Sequence, residues 1–214
     1  MFKGVIFDLD GVICFTDKYH YLAWKSIADE LNLHFDEKLN DRLRGVSRYK
    51  SLEIILSANN LTLTEDEKLA LTEKKNALYR ALLANLTPND VDKDLKNALS
   101  ILKKRNILTA IGSSSRNARY IIEQIGLTDS FNAIVDGSEI TNSKPDPEVF
   151  LLAAQKLGLK PSECIVLEDA EAGLEAAMRG GFKRAAVGKS AAGFPADYHI
   201  SNAALILNIV NDNI

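Results

Sequence analysis

The sequence predicts an α/β protein in which a parallel sheet carries helices on both faces and a block of helices interrupts the chain early. Three observations predict it. Past Pro88, short apolar runs of strand length alternate with amphipathic segments of helix length, which argues for parallel strands joined by crossover helices. Between Tyr19 and Asn85 strand signal is almost absent. There Tyr19, Ala23, Ile27 and Leu31 recur every fourth residue, as do Leu71, Lys75, Tyr79 and Leu83, with Lys75 the polar exception. The 214 residues suit one sizeable domain, or a core domain with a smaller companion.

The elements follow in order. Phe2-Lys3-Gly4-Val5-Ile6-Phe7 is a short apolar run with β-branched content, a buried strand that ends in the turn Asp8-Leu9-Asp10-Gly11. The helical block comes next, with Glu65, Asp66, Glu67 and Lys68 on a solvated face. Leu95 to Lys104 is amphipathic, and Ile107 to Ile111 is a strand running into Gly112-Ser113-Ser114-Ser115. Arg116 to Gln124 reads as a helix stopped by Gly126, and Ala133-Ile134-Val135 as a strand. Asp146 as N-cap and Pro147 at the first helical position open a helix that closes at Gly158. Ile165 to Leu167 is a strand, Glu171 to Met178 a helix, and Ala185 to Val187 another strand.

Composition narrows the function classes. Lys and Arg total 26 against 29 Asp and Glu, a formal charge of −3, so no general electrostatic case exists for nucleic acid. No apolar run reaches membrane-spanning length, and the first residues enter an ordered pattern at once, without a secretory signal. Cys14 and Cys164 are too few for a disulfide scaffold and lack metal-ligand spacing; each reads as a buried reduced thiol. The expectation is a cytoplasmic monomer that binds neither nucleic acid nor membrane.

In open α/β sheets the ligand lies beyond the carboxyl ends of the strands. Four polar clusters fall there: Asp8 with Asp10, Ser113 to Ser115, Lys144, and Glu168 with Asp169. One Asp-x-Asp alone is ordinary turn chemistry; four clusters on one edge are not. Asp8, Asp10, Glu168 and Asp169 would repel one another without a cation, and a hard oxygen set favours Mg²⁺. The serine run precedes a helix, where hydroxyls and N-terminal amides receive phosphate. Lys144 would balance a transferring phosphoryl group. Together these groups read as phosphoryl transfer. On an extended segment residues two apart point the same way. Asp8 would then attack phosphorus, and Asp10 would protonate the departing oxygen and later take a proton from the acceptor.

Asp8-Leu9-Asp10-Gly11-Val12, Ser113 or Ser114, Ser143-Lys144-Pro145-Asp146-Pro147 and Glu168-Asp169-Ala170-Glu171-Ala172-Gly173 resemble, in order, the successive motifs of the haloacid dehalogenase superfamily. The resemblance spans nearly the whole chain. It implies a Rossmann-like core from residues 1–15 and 88–214, a small inserted helical cap from 16–87, Mg²⁺, and an aspartyl-phosphate intermediate. The implied catalytic residues are Asp8, Asp10, Ser113 and Lys144, with Asp8, Asp10, Glu168 and Asp169 around the metal.

The cap carries Thr16, His20, Trp24, Arg44-Gly45-Val46-Ser47-Arg48, Ser51 and Lys74-Lys75-Asn76. This set resembles the hexose-phosphate mutases of the superfamily. It implies interconversion of β-D-glucose 1-phosphate and glucose 6-phosphate through the 1,6-bisphosphate. Arg48 would then hold the distal phosphate from the cap, with Ser115, Arg116 and Asn117 meeting it from the core. Gly45 and Val46 would approach the sugar, and His20 and Lys75 would tie cap closure to Asp10. Thr16, Trp24, Arg44 and Ser51 complete the implied sugar-phosphate contacts. A mutase needs a lid that excludes water and a second phosphate site, for which a forked arginine is suited.

Taken singly these residues have plainer readings. Arg42, Arg44 and Arg48 make a solvated helix face, His20 a packed imidazole, and Trp24 core. Two positions depart from the family pattern: Phe15 replaces an acidic residue before Thr16, and Asp92-Lys93-Asp94 replaces a Pro-Gly where the chain re-enters the core. The alternatives are a sugar-phosphate or phosphoglycolate-type phosphatase on the same fold, and a non-catalytic binding member. The intact Asp8, Asp10, Lys144 and Asp169 weigh against the last.

Overall fold

The structure, a computed structural model, describes residues 2–211, so Met1 and residues 212–214 of the expected core lie outside it. Strand β1 (Gly4–Phe7) leads into a helical block of α1 (Asp17–Glu30), α2 (Glu37–Asp41), α3 (Arg48–Ala58) and α4 (Glu65–Leu83). The chain then alternates through α5 (Lys93–Lys104), β2 (Leu108–Gly112), α6 (Ala118–Gln124), β3 (Ala133–Val135) and α7 (Glu148–Leu157). It closes with β4 (Cys164–Glu168), α8 (Glu171–Arg179), β5 (Lys183–Val187), β6 (Tyr198–Ile200) and α9 (Ile206–Asn211). The sheet is wholly parallel in the order β3-β2-β1-β4-β5-β6, the doubly wound arrangement expected.

Alternation along the strands builds two apolar layers. Val5 and Phe7 of β1 join Ile111, Ile165 and Leu167 on one face, packed by α5, α6 and α9. Ile6 joins Ala110, Cys164 and Val166 on the other, packed by α7 and α8. Both cysteines are free and buried. The helical block has its own cluster, with Trp24, Ile27, Phe35, Leu52 and Ile55 at its centre, while Ala23, Tyr79 and Leu83 pack on the sheet layer. Among the described residues, no helix is long and apolar enough to cross a membrane.

Register positions the site. Phe7 pairs with Ile111 on one side and Leu167 on the other, so the chain leaves β1, β2 and β4 at one level. Asp8, Ser113 and Glu168 therefore emerge side by side at the point where the strand order reverses.

Local differences from the sequence expectation have simple causes. Helix α7 begins at Glu148 with Pro147 at its cap, although the Asp146 carboxylate still accepts from the Glu148 amide at 2.9 Å. It ends as expected at Gly158, whose φ is 70°. Glu65 to Lys68 prove to be the first turn of α4, closed by a capping box between Thr64 and Glu67. Asp92, where the chain re-enters the core, caps α5 by accepting from the Asp94 amide at 2.7 Å. Strand β6 and helix α9 were not expected; β6 is only three residues long, too short for its half-buried, exposed, half-buried alternation to stand out as a strand.

Candidate active site

The turn after β1 brings Asp8 under Lys144, which reaches over from the loop before α7. Lys144 is 1% exposed; its Nζ donates to Asp8 Oδ1 and, at 2.7 Å, to Glu168 Oε2. Burial opposes its charge, but Asp8 and Glu168 outweigh that and raise its pKa above the usual lysine value. Glu168 also accepts from the backbone amides of Asp169 and Ala170, each at 3.1 Å.

One oxygen from each of Asp8, Glu168 and Asp169 lies within 4.8 Å of the others, and all three residues are buried. Burial first, then Asp8, raises Glu168 to about 7; burial first, then Glu168 and Asp8, raises Asp169 to about 9. Three hard oxygen donors in so small a space, facing one lysine and one arginine, suit a divalent cation of the Mg²⁺ kind. Two glycines make room for them. A Cβ on Gly11, whose φ is +85°, would lie 2.2 Å from Asp169 Oδ2; one on Gly173 would lie 1.9 Å from Glu168 Oε2.

Asp10 is turned away from this trio. The segment is not extended past Phe7: Gly11 turns the chain, and Asp10 forms an isolated bridge with Cys14. Its carboxylate instead accepts from the Thr16 hydroxyl, with His20 Nε2 4.0 Å away. The expected four-carboxylate cluster is thus a trio, and Asp10 faces the cleft from its own side. Desolvation, then the charges of Asp8 and Asp17, raise the Asp10 pKa well above the carboxylate range. The shift favours the protonated carboxyl.

Residues of the helical block converge on Asp10. Lys75 Nζ lies 2.9 Å from His20 Nδ1, and the imidazole packs against Tyr79 with centroids 4.0 Å apart and the rings tilted by 36°. Burial, then Lys75 and Arg48, lower the His20 pKa well below its usual value, so the ring is neutral. A neutral ring that accepts from Lys75 at Nδ1 carries its hydrogen on Nε2, toward Asp10. Lys75 is 2% exposed and stands over the Tyr79 and Trp24 rings, at 4.4 and 5.1 Å from their centroids. Burial first, then Arg48, lowers its pKa to about 7. The one polar residue on that helical stripe thus lines the cleft beside His20, and Trp24 both fills the core of the helical block and lines the cleft.

Across the cleft, Arg48 at the start of α3 donates to the Thr72 carbonyl at 3.0 Å and pairs with Glu73 at 3.2 Å. Burial lowers its pKa, and the Arg116 charge on the core side adds to this against Glu73. Asn117 donates to Asn76 Oδ1 at 2.9 Å, a core-to-cap bond. The Ser113 hydroxyl accepts from the Ser115 amide at 3.1 Å, and the Ser115 hydroxyl from the Asn117 amide at 3.2 Å. Ser114 Oγ is buried without a hydrogen-bond partner among the described residues and lines the same cleft. Gly45 and Val46 line it as expected, as does Ser51, whose hydroxyl donates to the Ser47 carbonyl at 3.1 Å. Thr16 is fully buried beneath Asp10.

Arg44 differs from expectation in its partners. Its Nη2 pairs with Asp17 at 2.7 Å and its Nη1 with Asp169 at 3.2 Å. The sequence reading missed Asp17, which looks like an ordinary first-turn acid of α1; it named Asn76 but not its pairing with Asn117, which lies 41 residues away. The whole arrangement encloses a cleft of about 510 Å³ with the carboxylate trio on the core side and Arg48 on the cap side.

Comparison with known proteins agrees with this geometry. The haloacid dehalogenase-like hydrolase profile matches residues 2–181. The chain is 44% identical to a β-phosphoglucomutase from Bacillus subtilis over 189 residues, 87% of this chain and 84% of that one. It is 31% identical to a fructose-1-phosphate phosphatase from Escherichia coli, over 84% of this chain and 93% of that one. A crystal structure of β-phosphoglucomutase from Clostridium difficile superposes with a TM-score of 0.93 at 33% identity, covering 99% of this chain and 96% of that one. The chain belongs to the haloacid dehalogenase-like hydrolase family and is homologous to β-phosphoglucomutase, an isomerase.

Proposed function

We propose that this protein is a β-phosphoglucomutase, interconverting β-D-glucose 1-phosphate and glucose 6-phosphate through β-glucose 1,6-bisphosphate, with residues 16–87 acting as the cap. The observation that carries the reading is the two-ended cleft. At one end lie Asp8, Lys144 and the acidic trio; at the other, Arg48 of the cap and Arg116 of the core face each other with like charge. Two opposed guanidinium groups across a cavity are stabilised by an anion between them, and a sugar bisphosphate presents one phosphate to each end. The 44% identity to the Bacillus subtilis enzyme supports the same substrate.

Asp8 is the nucleophile: its carboxylate oxygen bonds to phosphorus as the sugar oxygen leaves. Asp10 supplies the proton to that oxygen and recovers it from the sugar hydroxyl that accepts the phosphoryl group next. Thr16 and the Lys75–His20 pair hold Asp10 at the cleft, so the proton is in place only when the cap is home. Lys144 and the Ser113–Ser115 loop hold the transferring group, and Ser115, Arg116, Asn117 and Arg48 the distal phosphate. Asp8, Glu168 and Asp169 would hold Mg²⁺, which would neutralise phosphoryl charge there. The sugar then turns end for end between the two transfers.

A second reading, a sugar-phosphate phosphatase in which water accepts the phosphoryl group, is favoured by the 31% identity to the Escherichia coli phosphatase. Calorimetric titration of glucose 6-phosphate into the protein and its Arg48→Ala variant separates the two. Loss of about two charge-assisted hydrogen bonds weakens binding by about 10²-fold on the mutase reading. Equal affinity in both proteins would place the distal phosphate elsewhere and remove the second end on which the reading rests.

A further inference from the structure

Two cavities meet at one ion triad. Beside the 510 Å³ cleft lies a second cavity of about 380 Å³, lined by Val12, Phe15, Leu95, Val187, Lys189 and Asn202 among others. Asp17, Arg44 and Asp169 line both. Arg44 belongs to the cap, between α2 and α3, and Asp17 opens α1; Asp169 belongs to the core turn after β4. The guanidinium bridges them with one nitrogen to Asp17 at 2.7 Å and another to Asp169 at 3.2 Å. The next residue reinforces the contact: a Cβ on Gly45 would lie 3.6 Å from the methyls of Ala170 and Ala172. The cap loop thus rests on the core at the start of α8, and the Arg44 side chain is part of the wall between the two cavities.

The consequence concerns water. A cavity of this size has room for on the order of ten waters. Phe15, one of its lining residues, is 70% exposed, so the cavity reaches solvent. Asp169 has an oxygen within 4.8 Å of Asp8, so a breach at Arg44 would bring solvent to the phosphoryl site even with the cap shut.

We propose that Arg44 is a positioning residue, a latch that pins the cap to Asp169 and seals the second cavity from Asp8, directing the phosphoryl group to sugar hydroxyl rather than water. The sealing role rests on the mutase reading; the latch does not. The suppressed reaction is hydrolysis of the aspartyl phosphate. A water oxygen bonds to phosphorus, the bond from phosphorus to the Asp8 oxygen breaks, and its electron pair returns to the carboxylate. Both water protons leave on the dihydrogen phosphate released. Arginine suits the role because its planar fork reaches two carboxylates at once, whereas a lysine offers a single nitrogen.

The test compares the full-length protein with Arg44→Ala and Arg44→Lys. Hydrogen exchange, read without added metal or sugar, follows the segments 42–47 and 187–190. Product analysis with β-glucose 1-phosphate, Mg²⁺ and a trace of the bisphosphate gives the ratio of orthophosphate to glucose 6-phosphate. Arg44→Ala should exchange faster in both segments and raise the ratio about tenfold, the loss of one charge-assisted hydrogen bond, with Arg44→Lys in between. Unchanged exchange in both segments overturns the latch. Faster exchange with an unchanged ratio overturns the seal. Should Arg44→Ala not fold, Arg44→Lys carries the same two readouts. A native protein that releases only orthophosphate refutes the mutase reading, and the exchange arm still decides the latch.

Discussion

Replacing Lys75 with methionine removes an ammonium that is 2% exposed while keeping a side chain of similar length. Burial, then the Arg48 charge, hold its pKa at about 7 against an ordinary 10.5. The folded value lies below the unfolded one, so between them the unfolded chain binds the extra proton and stability rises with pH. At 1.36 kcal/mol per pKa unit, the amine costs the fold about 4 kcal/mol at pH 7 and about 2 kcal/mol at pH 9, with the cost full below pH 7. Urea unfolding of the native protein and Lys75→Met at both pH values measures this cost, because the titrating groups remote from Lys75 cancel in the difference, leaving Lys75 and its neighbours Asp10 and His20. The variant should be more stable at pH 7 by roughly 2–4 kcal/mol, and the gap should shrink by about 2 kcal/mol at pH 9. Phosphoryl transfer should nevertheless fall, since His20 loses the donor that fixes its tautomer. A variant less stable than the native protein at pH 7, with a gap independent of pH, would refute the reasoning.

Three further substitutions probe separate parts of the site. Asp8→Asn should form no phosphoenzyme by intact-mass measurement and lose at least about 10⁴-fold in kcat. Asp10→Ala should lower transfer by about 10²–10⁴-fold while calorimetry still detects glucose 6-phosphate binding, because only the proton is lost. Gly173→Ala drives a methyl to 1.9 Å from Glu168 Oε2 and should displace Glu168 from Lys144. Thermal unfolding should show it less stable by about 1–3 kcal/mol, with a smaller rise in Tm on adding Mg²⁺ than the native protein shows.

The fold was legible because its signals are local. Strand-length apolar runs alternate with helix-length segments, and the carboxylate, serine and lysine positions fall at strand ends, where register then brings Asp8 next to Glu168. Strand β6 and helix α9 were not legible, since Tyr198, His199 and Ile200 alternate over only three residues and are held by pairing with Ala185, Ala186 and Val187. Asp10 was placed with the metal-site acids because it falls with them at the strand ends; the turn at Gly11 sends its carboxylate to Thr16 instead. Lys75 was visible only as an exception on an apolar stripe, and the structure explains it through His20, 55 residues away. Arg44 shows the limit most clearly. Its type suggested an anion contact, but besides the neighbouring Asp41 its partners come from α1 and from a turn 125 residues away. Such pairings arise from tertiary structure, and residue type alone does not carry them.

The central claim is that the phosphoryl group returns to sugar. Incubating the protein with β-glucose 1-phosphate, Mg²⁺ and a trace of β-glucose 1,6-bisphosphate, and following both products, tests it most directly. The account predicts glucose 6-phosphate as the main product, with the bisphosphate persisting at trace level. Orthophosphate as the main product, with glucose 6-phosphate absent, would contradict it.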